Sequence, residues 1–591
     1  MSEAKWDLGQ LVESTDPERI MKELDKMVDT SARLAERYRD KVSELDAKGV
    51  LELLETMDTL ALRYEGVVIY CQLLYSADTT DPVAKQLNDA VLKASTKARQ
   101  HLAFVDIDLS RLLQSFPHLV EEPTLSEFKH ALERQLLRAP HLLSETEERL
   151  IMTKDQNGIH AWSQLQREWL STRSFTLEVE GESKTLPYGQ IIGYYSNPDR
   201  ELRRSANQEV YGKLGQDETI WSSALRAICD DHVQTSTWRR FGSPLDHSLL
   251  VNDLERKHVD ALMAAIRNGT GVYRRYLRTK ARLMGLPKLA NWDIVAPLPN
   301  APDETHSWSE ARRIIVSAYA GFDPQIGRWV EDMYKSHRLD GEVRKGKVSG
   351  AFCQDWYNGK SAFILQSFNG RLDDLYTQAH EQGHAVHAYL SSRAQRPSNC
   401  ALSMCIAECG SIFGELLLTD KLLSEAKGDE ERQAVLCQVL DGFGMAAFQV
   451  SARYFFEWSL YDTLSEGGFL DAERIASLWT KARDDIYGDA VDWLPEMKWE
   501  WTMKMHYYIA GLRFYNYPYV FAQLFVFALY RLYKEQGPAF VPKVKALLSA
   551  GSSRSAADLA MEFGFDLSEE AFWQKGIAQA EEFIDQLERT I

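Results

Sequence analysis

Asp373-Asp374-Leu375-Tyr376-Thr377-Gln378-Ala379-His380-Glu381-Gln382-Gly383-His384-Ala385-Val386-His387-Ala388 reads as one helix. On a helix turning ~100° per residue, His380 and His384 lie one turn apart and project from the same face, so two imidazoles can meet at one metal ion. Glu381 falls to one side of that face, where a carboxylate serves an attacking water rather than the metal.

A catalytic metal site of this kind needs a third protein ligand from another element and an open position for water. Downstream, Ala401 to Leu418 reads as a helix with few breakers, and Ala388 to Asn399, with Ser391-Ser392 and Pro397, supplies the turn between the two. Glu408 sits in the apolar first half of the second helix, and an acid on an apolar face is costly unless it is paired or bound to a cation. Glu408 is therefore the expected third ligand. Cys405 and Cys409 flank it and offer an alternative, since two histidines with two thiolates would make a closed structural zinc site. An isolated helix cysteine is more often a small buried apolar residue.

Further segments carry a resemblance. Gly350-Ala351-Phe352-Cys353, Phe363-Ile364-Leu365, Phe368-Asn369-Gly370, Asp373-Asp374 and the HExGH pattern are followed by Ala407-Glu408, Phe413-Gly414-Glu415 and Phe514-Tyr515-Asn516-Tyr517-Pro518-Tyr519. In this order they resemble the oligoendopeptidase F branch of the M3 metallopeptidases, with Gln382 standing where a hydrophobic residue is more usual. The resemblance implies a mainly α, multi-helix, neurolysin-like fold, with a small β-sheet beside the zinc-binding helix and an enclosed substrate channel. It also implies one Zn²⁺ per chain on His380, His384 and Glu408, with Glu381 as general base. Of the residues near the C-terminal motif, His506, Tyr515 and Tyr519 match best the family's donors to the substrate carbonyl, with Tyr517 and Tyr508 in reserve. Phenol and imidazole are suited to that task.

Taken in order, the 591-residue chain is too long for one small core. A formal charge of -18 argues against nucleic acid and anionic membranes as partners, since both demand a basic face. The start of the chain has neither signal-peptide nor transit-peptide character, and its longest apolar stretch, Phe521 to Tyr530, suits a buried helix. Seven cysteines form no disulfide framework, which points to a reducing cytoplasm. Helical patterns run over Ile20–Leu45, Val50–Tyr75 and Val83–Phe104, with Asp78 to Pro82 as turn and cap. Phe175–Val179 and Lys184–Leu186 read as a hairpin, and Asn197-Pro198-Asp199 as a helix cap. The expected division is an N-terminal helical region, 1–190, ending in that hairpin, and a catalytic region, 191–591.

Before the histidine helix, Glu342–Phe352 and Ser361–Phe368 have strand character, and Gly350 permits close backbone approach. A sheet edge here could hold a peptide in extended form through main-chain hydrogen bonds, or could simply cover the core. If the C-terminal motif is helical, Tyr515 and Tyr519 share a face at i, i+4. Metal-bound imidazoles donate their free N–H to an acid or carbonyl, and Glu415 suits that role better than His387.

The expected function is a zinc-dependent endopeptidase for short peptides. Rival readings are a zinc carboxypeptidase of HExxH type and an inert peptide-binding homologue. No stretch specifies an oligomeric state.

Overall fold

Every long helix near the N-terminus begins where a side chain can cap it. The computed structural model describes residues 3–300 and 305–591. Helix α1 (Pro17–Tyr38) opens on Asp16, and α2 (Ala47–Ala77) on Asp46. Helix α3 (Pro82–Ser115) opens on Asp81, whose carboxylate accepts the N–H groups of Val83 and Ala84 at 2.7 and 2.9 Å. An acid just before the first residue, with proline at that position in α1 and α3, satisfies the orphan donors of a helix start, so the three helices begin within a few residues of where the pattern predicts.

The chain forms two units, each discontinuous. The first comprises the described residues of 1–140, 303–425 and 529–565; the second those of 141–302, 426–528 and 566–591. Residue 190, the boundary expected from the sequence, falls inside the second unit.

In the first unit, α2 and α3 meet in two separate hydrophobic clusters. One gathers Tyr64, Val67 and Tyr70 with Leu87 and Val91; the other gathers Val50 and Leu53 with Val105, Leu109 and Leu112. The same unit holds a three-stranded sheet of β1 (Leu339–Asp340), β2 (Phe352–Trp356) and β3 (Ser361–Leu365), in the order β1-β3-β2. Strand β3 is parallel to β1 and antiparallel to β2, with Phe352 opposite Leu365 and Trp356 opposite Ser361. It is buried along its whole length, as a continuous apolar run in a central strand should be. Strand β2 is left as an edge.

The strand expected over Glu342–Phe352 is mostly a loop, and β2 begins only at its last residue. Buried Asp340 explains the difference. Arg344 grips it with two hydrogen bonds of 2.7 and 2.8 Å, and Lys347 donates to it at 2.7 Å and to three carbonyl oxygens around it. The segment wraps around one carboxylate instead of extending. Gly350 serves this loop through its positive φ of 90° and has open space beside it, not a close neighbour.

Helix α4 (Leu372–Ala394) carries the HExxH residues. The segment expected to be one helix over Ala401–Leu418 is instead a single turn, α5 (Met404–Ala407), a break at Glu408 with φ -85° and ψ 1°, and helix α6 (Cys409–Glu425). Helices α4 and α6 touch backbone to backbone. A Cβ on Gly383 would overlap the carbonyl oxygen of Gly410, and one on Gly410 would overlap that of Gly383. Beside them, the Tyr319 hydroxyl donates to the Ala379 carbonyl at 2.7 Å and fills the space next to Gly414.

In the second unit, Ser174–Val179 and Glu182–Pro187 form the expected hairpin, closed by Glu180 and Gly181 at φ 56° and 81°. Two successive positive φ values make the two-residue turn whose twist matches paired strands. Asp199 caps the next helix through the N–H groups of Glu201 and Leu202, as the sequence indicates. Phe521 to Tyr530 is fully buried in a helix. Among the described residues one helical run, Asp429–Ser465, is long and apolar enough to cross a membrane, and 61% of its most apolar window is buried within the fold.

Replacing Gly383 or Gly410 by alanine should destabilise the protein. The gain in helix propensity is about 1 kcal/mol, whereas a methyl group driven into backbone that cannot rotate away costs about 1–3 kcal/mol. Urea unfolding of each variant measures the balance, and undiminished stability in both would contradict the contact.

Candidate active site

Three side chains of the first unit converge. His380 Nε2 and His384 Nε2 are 3.2 Å apart, and the carboxylate Oε2 of Glu408 lies 3.3 Å from the first and 3.4 Å from the second. Among the described residues this is the one group of three or more potential ligands close enough to hold an ion. A tetrahedral zinc with bonds of ~2.0–2.1 Å sets neighbouring ligand atoms ~3.3–3.4 Å apart. The three edges of the observed triangle match that spacing, and nitrogen, nitrogen and carboxylate oxygen are a donor set suited to such an ion, so the residues fit a metal.

The sequence accounts for the convergence. One turn of α4 sets the two imidazoles on one face, and the close approach of α6 brings Glu408 to them from the break at its start. Two contacts hold the donors. Glu415 Oε1 accepts the Nδ1–H of His380 at 2.6 Å, so it is Nε2 that would give up its proton and turn a lone pair to an ion. The Ser411 hydroxyl donates to Glu408 Oε2 at 2.7 Å. Glu415 was legible as an acid seven residues beyond Glu408. Ser411 was missed, because a capping box puts the serine first and the acid three residues later, and here the order is reversed.

Electrostatics in the metal-free chain follow from this packing. Burial alone would depress the His380 imidazole, but its hydrogen bonds to Glu408 and Glu415 carry it up to about 10. Burial works in the opposite sense on Glu408, and the two imidazoles outweigh it, holding the carboxyl far below the ordinary range. Glu381 is raised, chiefly by burial. It lines a recess of about 550 Å³ together with His380, His384 and Phe352 to Asp355 of β2, so the sheet edge and the ligand face of α4 border the same space.

His387 borders that recess too, but it is buried, neither ring nitrogen has a hydrogen-bond partner, and burial holds it neutral with a pKa down to about 3. Cys405 and Cys409 are buried and stand outside the ligand group, so a closed two-histidine, two-cysteine site does not form. Gln382 is buried as well and takes no part in the ligand group.

The remaining expected residues belong to the second unit. The His506 ring stacks on Tyr515 at 5.0 Å, and Tyr515 meets Tyr519 edge-on at 5.6 Å. The helical i, i+4 relation expected for the two tyrosines is not the cause, because the helix Tyr517–Gln536 begins after Tyr515. The preceding loop is pinned by two buried residues the sequence reading passed over. Glu457 accepts the N–H of Phe514, which is fully buried at φ 52°, at 2.8 Å. Arg513 donates to the carbonyls of His506 and Ile509 at 2.9 and 2.7 Å. Burial, and then the cations Arg453, Lys504 and Arg513, lower the pKa of His506 and keep it a neutral ring. The reserve candidates Tyr508 and Tyr517 are core residues, both fully buried, and the Tyr517 hydroxyl donates to the Ser248 carbonyl at 3.1 Å.

A helical fold carrying such a donor set on an HExxH helix is that of a metal-dependent peptidase. Residues 194–579 match peptidase family M3, and residues 118–175 match the family described as Oligopeptidase F. Group B oligopeptidase PepB of Streptococcus agalactiae is 26% identical over 99% of this chain and 97% of its own. Oligopeptidase PepF of Bacillus subtilis is 23% identical over 94% and 83%. Among solved structures, a Chlamydophila abortus protein superposes with a TM-score of 0.88 at 20% identity, covering 100% of this chain and 98% of its own. Oligoendopeptidase-F from Enterococcus faecium gives 0.71 at 21% identity, covering 97% and 99%. The chain belongs to peptidase family M3 and is a metalloendopeptidase. This sets aside both the carboxypeptidase and the inert-homologue readings.

Two measurements test the centre. Because metal-free His380 holds a proton at pH 7, metal uptake should release about one proton per site; calorimetry in buffers of different ionisation heat would read it, and zero release would contradict the charged ring. Glu415→Gln should weaken metal binding about 10- to 100-fold while the fold melts normally, and wild-type affinity would show that the Nδ1 contact does nothing for the ligand.

Proposed function

We propose that this chain is a zinc-dependent oligopeptidase that hydrolyses internal bonds of short peptides, with one Zn²⁺ per chain held by His380, His384 and Glu408. The observation that carries this reading is the donor triangle, whose edges of 3.2, 3.3 and 3.4 Å suit tetrahedral zinc. Bound there, zinc would supply Lewis acidity to water and to the scissile carbonyl.

The chain's own residues supply the rest. Glu381, on the next residue of the same helix and facing the same recess, takes a proton on its carboxylate from the attacking water and delivers it to the departing amine nitrogen. Burial raises its proton affinity, which suits a group that must both accept and return a proton. Neutral His506, with Tyr515 stacked on it and Tyr519 edge-on to Tyr515, provides N–H and O–H donors for the carbonyl oxygen as negative charge grows on it. The free edge of β2 pairs with the peptide main chain, so affinity comes from backbone hydrogen bonds that demand no particular sequence. Seven unbridged thiols fit a reducing cytoplasm as the working compartment. A net charge of -18 speaks against nucleic acid and anionic membrane as partners.

Glu381→Gln should keep stoichiometric zinc and lose about 10²- to 10⁴-fold in kcat on a quenched fluorescent peptide. A variant that turns over like wild type would remove Glu381 from the role. Tyr515→Phe and Tyr519→Phe, made separately, should leave KM nearly unchanged, and the one whose hydroxyl meets the oxyanion should lower kcat by about 10²- to 10³-fold. Unaltered kcat in both would take the tyrosines out of the mechanism.

A further inference from the structure

The first unit holds a second, larger recess of about 830 Å³, walled by α1, α2 and α3, by β2 and the turn after it, and by the C-terminal half of α4. It adjoins the recess at the metal ligands, since Gln354, Asp355, Ala388 and Cys400 line both. Along α4 the residues facing this space follow the ligands turn by turn: His380, His384, Ala388, then Ser391 and Ser392. One turn advances ~5.4 Å, so the recess begins ~6 Å beyond His384 and extends past ~12 Å. A peptide extended at ~3.3 Å per residue covers that distance in about two to four residues.

The recess exists because α2 and α3 close only at their ends. Between their two hydrophobic clusters lie Ala61 on one helix and Ala103 on the other, with Ala98 at the margin of the first cluster, all lining the space. Around them Met57, Leu60, Val68 and Leu102 are only partly buried. A concave apolar surface of this size exceeds what loose packing leaves behind and lies within the range of ligand pockets. Its far wall is fixed: the Glu65 carboxylate accepts the N–H groups of Tyr357 and Asn358 at 2.6 and 2.9 Å, tying the turn after β2 to α2. A peptide paired with the β2 edge would run from the ligands directly into it.

We propose that this recess is a specificity subsite that takes a bulky apolar side chain of the substrate about two to four residues from the bond being cut, with Ala61, Ala98 and Ala103 setting its size. The inference rests on the endopeptidase reading above. Full burial of a leucine or phenylalanine side chain is worth about 10- to 100-fold in kcat/KM.

The test uses the zinc-loaded full chain and quenched fluorescent peptides with one fixed scissile bond, in which Phe, Leu or Ser is scanned through the four positions on either side. Wild type should prefer Phe or Leu over Ser by about tenfold or more at one position two to four residues from the cut. Ala61→Trp and Ala103→Trp fill the recess from opposite walls, at positions already open to solvent, so neither indole has to enter a packed core. Each should abolish that preference, so that the Phe, Leu and Ser peptides are cut by the variant within about twofold of one another. A wild type without the preference, or a preference unchanged in both variants, overturns the subsite; if one variant unfolds, the other decides. A wild type that cuts none of the peptides strikes the endopeptidase reading itself, an outcome distinct from indiscriminate cleavage.

Discussion

The contact between Gly383 and Gly410 is the constraint on which the first unit's chemistry depends. Two helices with ordinary side chains at their crossing keep their axes about 8–10 Å apart, which would hold Glu408 away from the imidazoles. Two glycines let carbonyl oxygens occupy the space that Cβ atoms would take, and the helices close up. The ligand triangle is thus set by a packing decision made one residue before His384 and two residues after Glu408. The same logic explains the break at Glu408, which lets the carboxylate turn toward α4 instead of following the direction of α6.

Charge compensation holds the arrangement ready. Two imidazole nitrogens at 3.2 Å would repel each other if both carried protons, and a buried carboxylate alone would be expensive. In the metal-free chain the charged His380 ring meets a carboxylate on each edge, Glu415 at Nδ1 and Glu408 at Nε2, and Ser411 supplies a donor to Glu408. A divalent cation would replace the Nε2 proton with little rearrangement, because the three donor atoms already converge. In the second unit a comparable investment is made around His506. Buried Arg513 and Glu457 pin a loop whose backbone at Phe514 adopts a conformation aromatic residues seldom take, and such strain persists only where the surroundings over-determine it.

Much of this was legible in the chain itself. The shared face of His380 and His384, the place of Glu381 beside it and the acid that meets His380 follow from helical periodicity, which is local. The capped starts of α1 to α3 and the Glu180-Gly181 hairpin are local too. What could not be read was set by burial and by tertiary partners. Asp340, buried at the end of β1, recruits Arg344 and Lys347 from four and seven residues away and turns an expected strand into a loop, and its burial is what the local sequence does not signal. The break at Glu408 is not marked by propensity, since Glu408 is itself a good helix former while the weak formers Gly410 and Gly414 lie inside α6. Tyr515 and Tyr519 do come together, but through a pinned loop, and the residues that pin it lie as far away as Glu457. The recess between α2 and α3 escaped notice because three alanines in two amphipathic helices look like ordinary helix formers until the facing walls are known.

The peptide pairing proposed for β2 would carry an exclusion of its own. An edge strand offers alternating carbonyl oxygens and N–H groups, and a visiting chain must answer each with its complement. Proline has no hydrogen on its nitrogen and resists the flat, extended pairing that its neighbours need. A peptide paired in this way would not place that residue where β2 presents a carbonyl, whatever its other side chains are. Fragments bearing it at that register would then accumulate as the undigested remainder, and the main chain of Phe352 to Trp356 would act as a filter on imino acids.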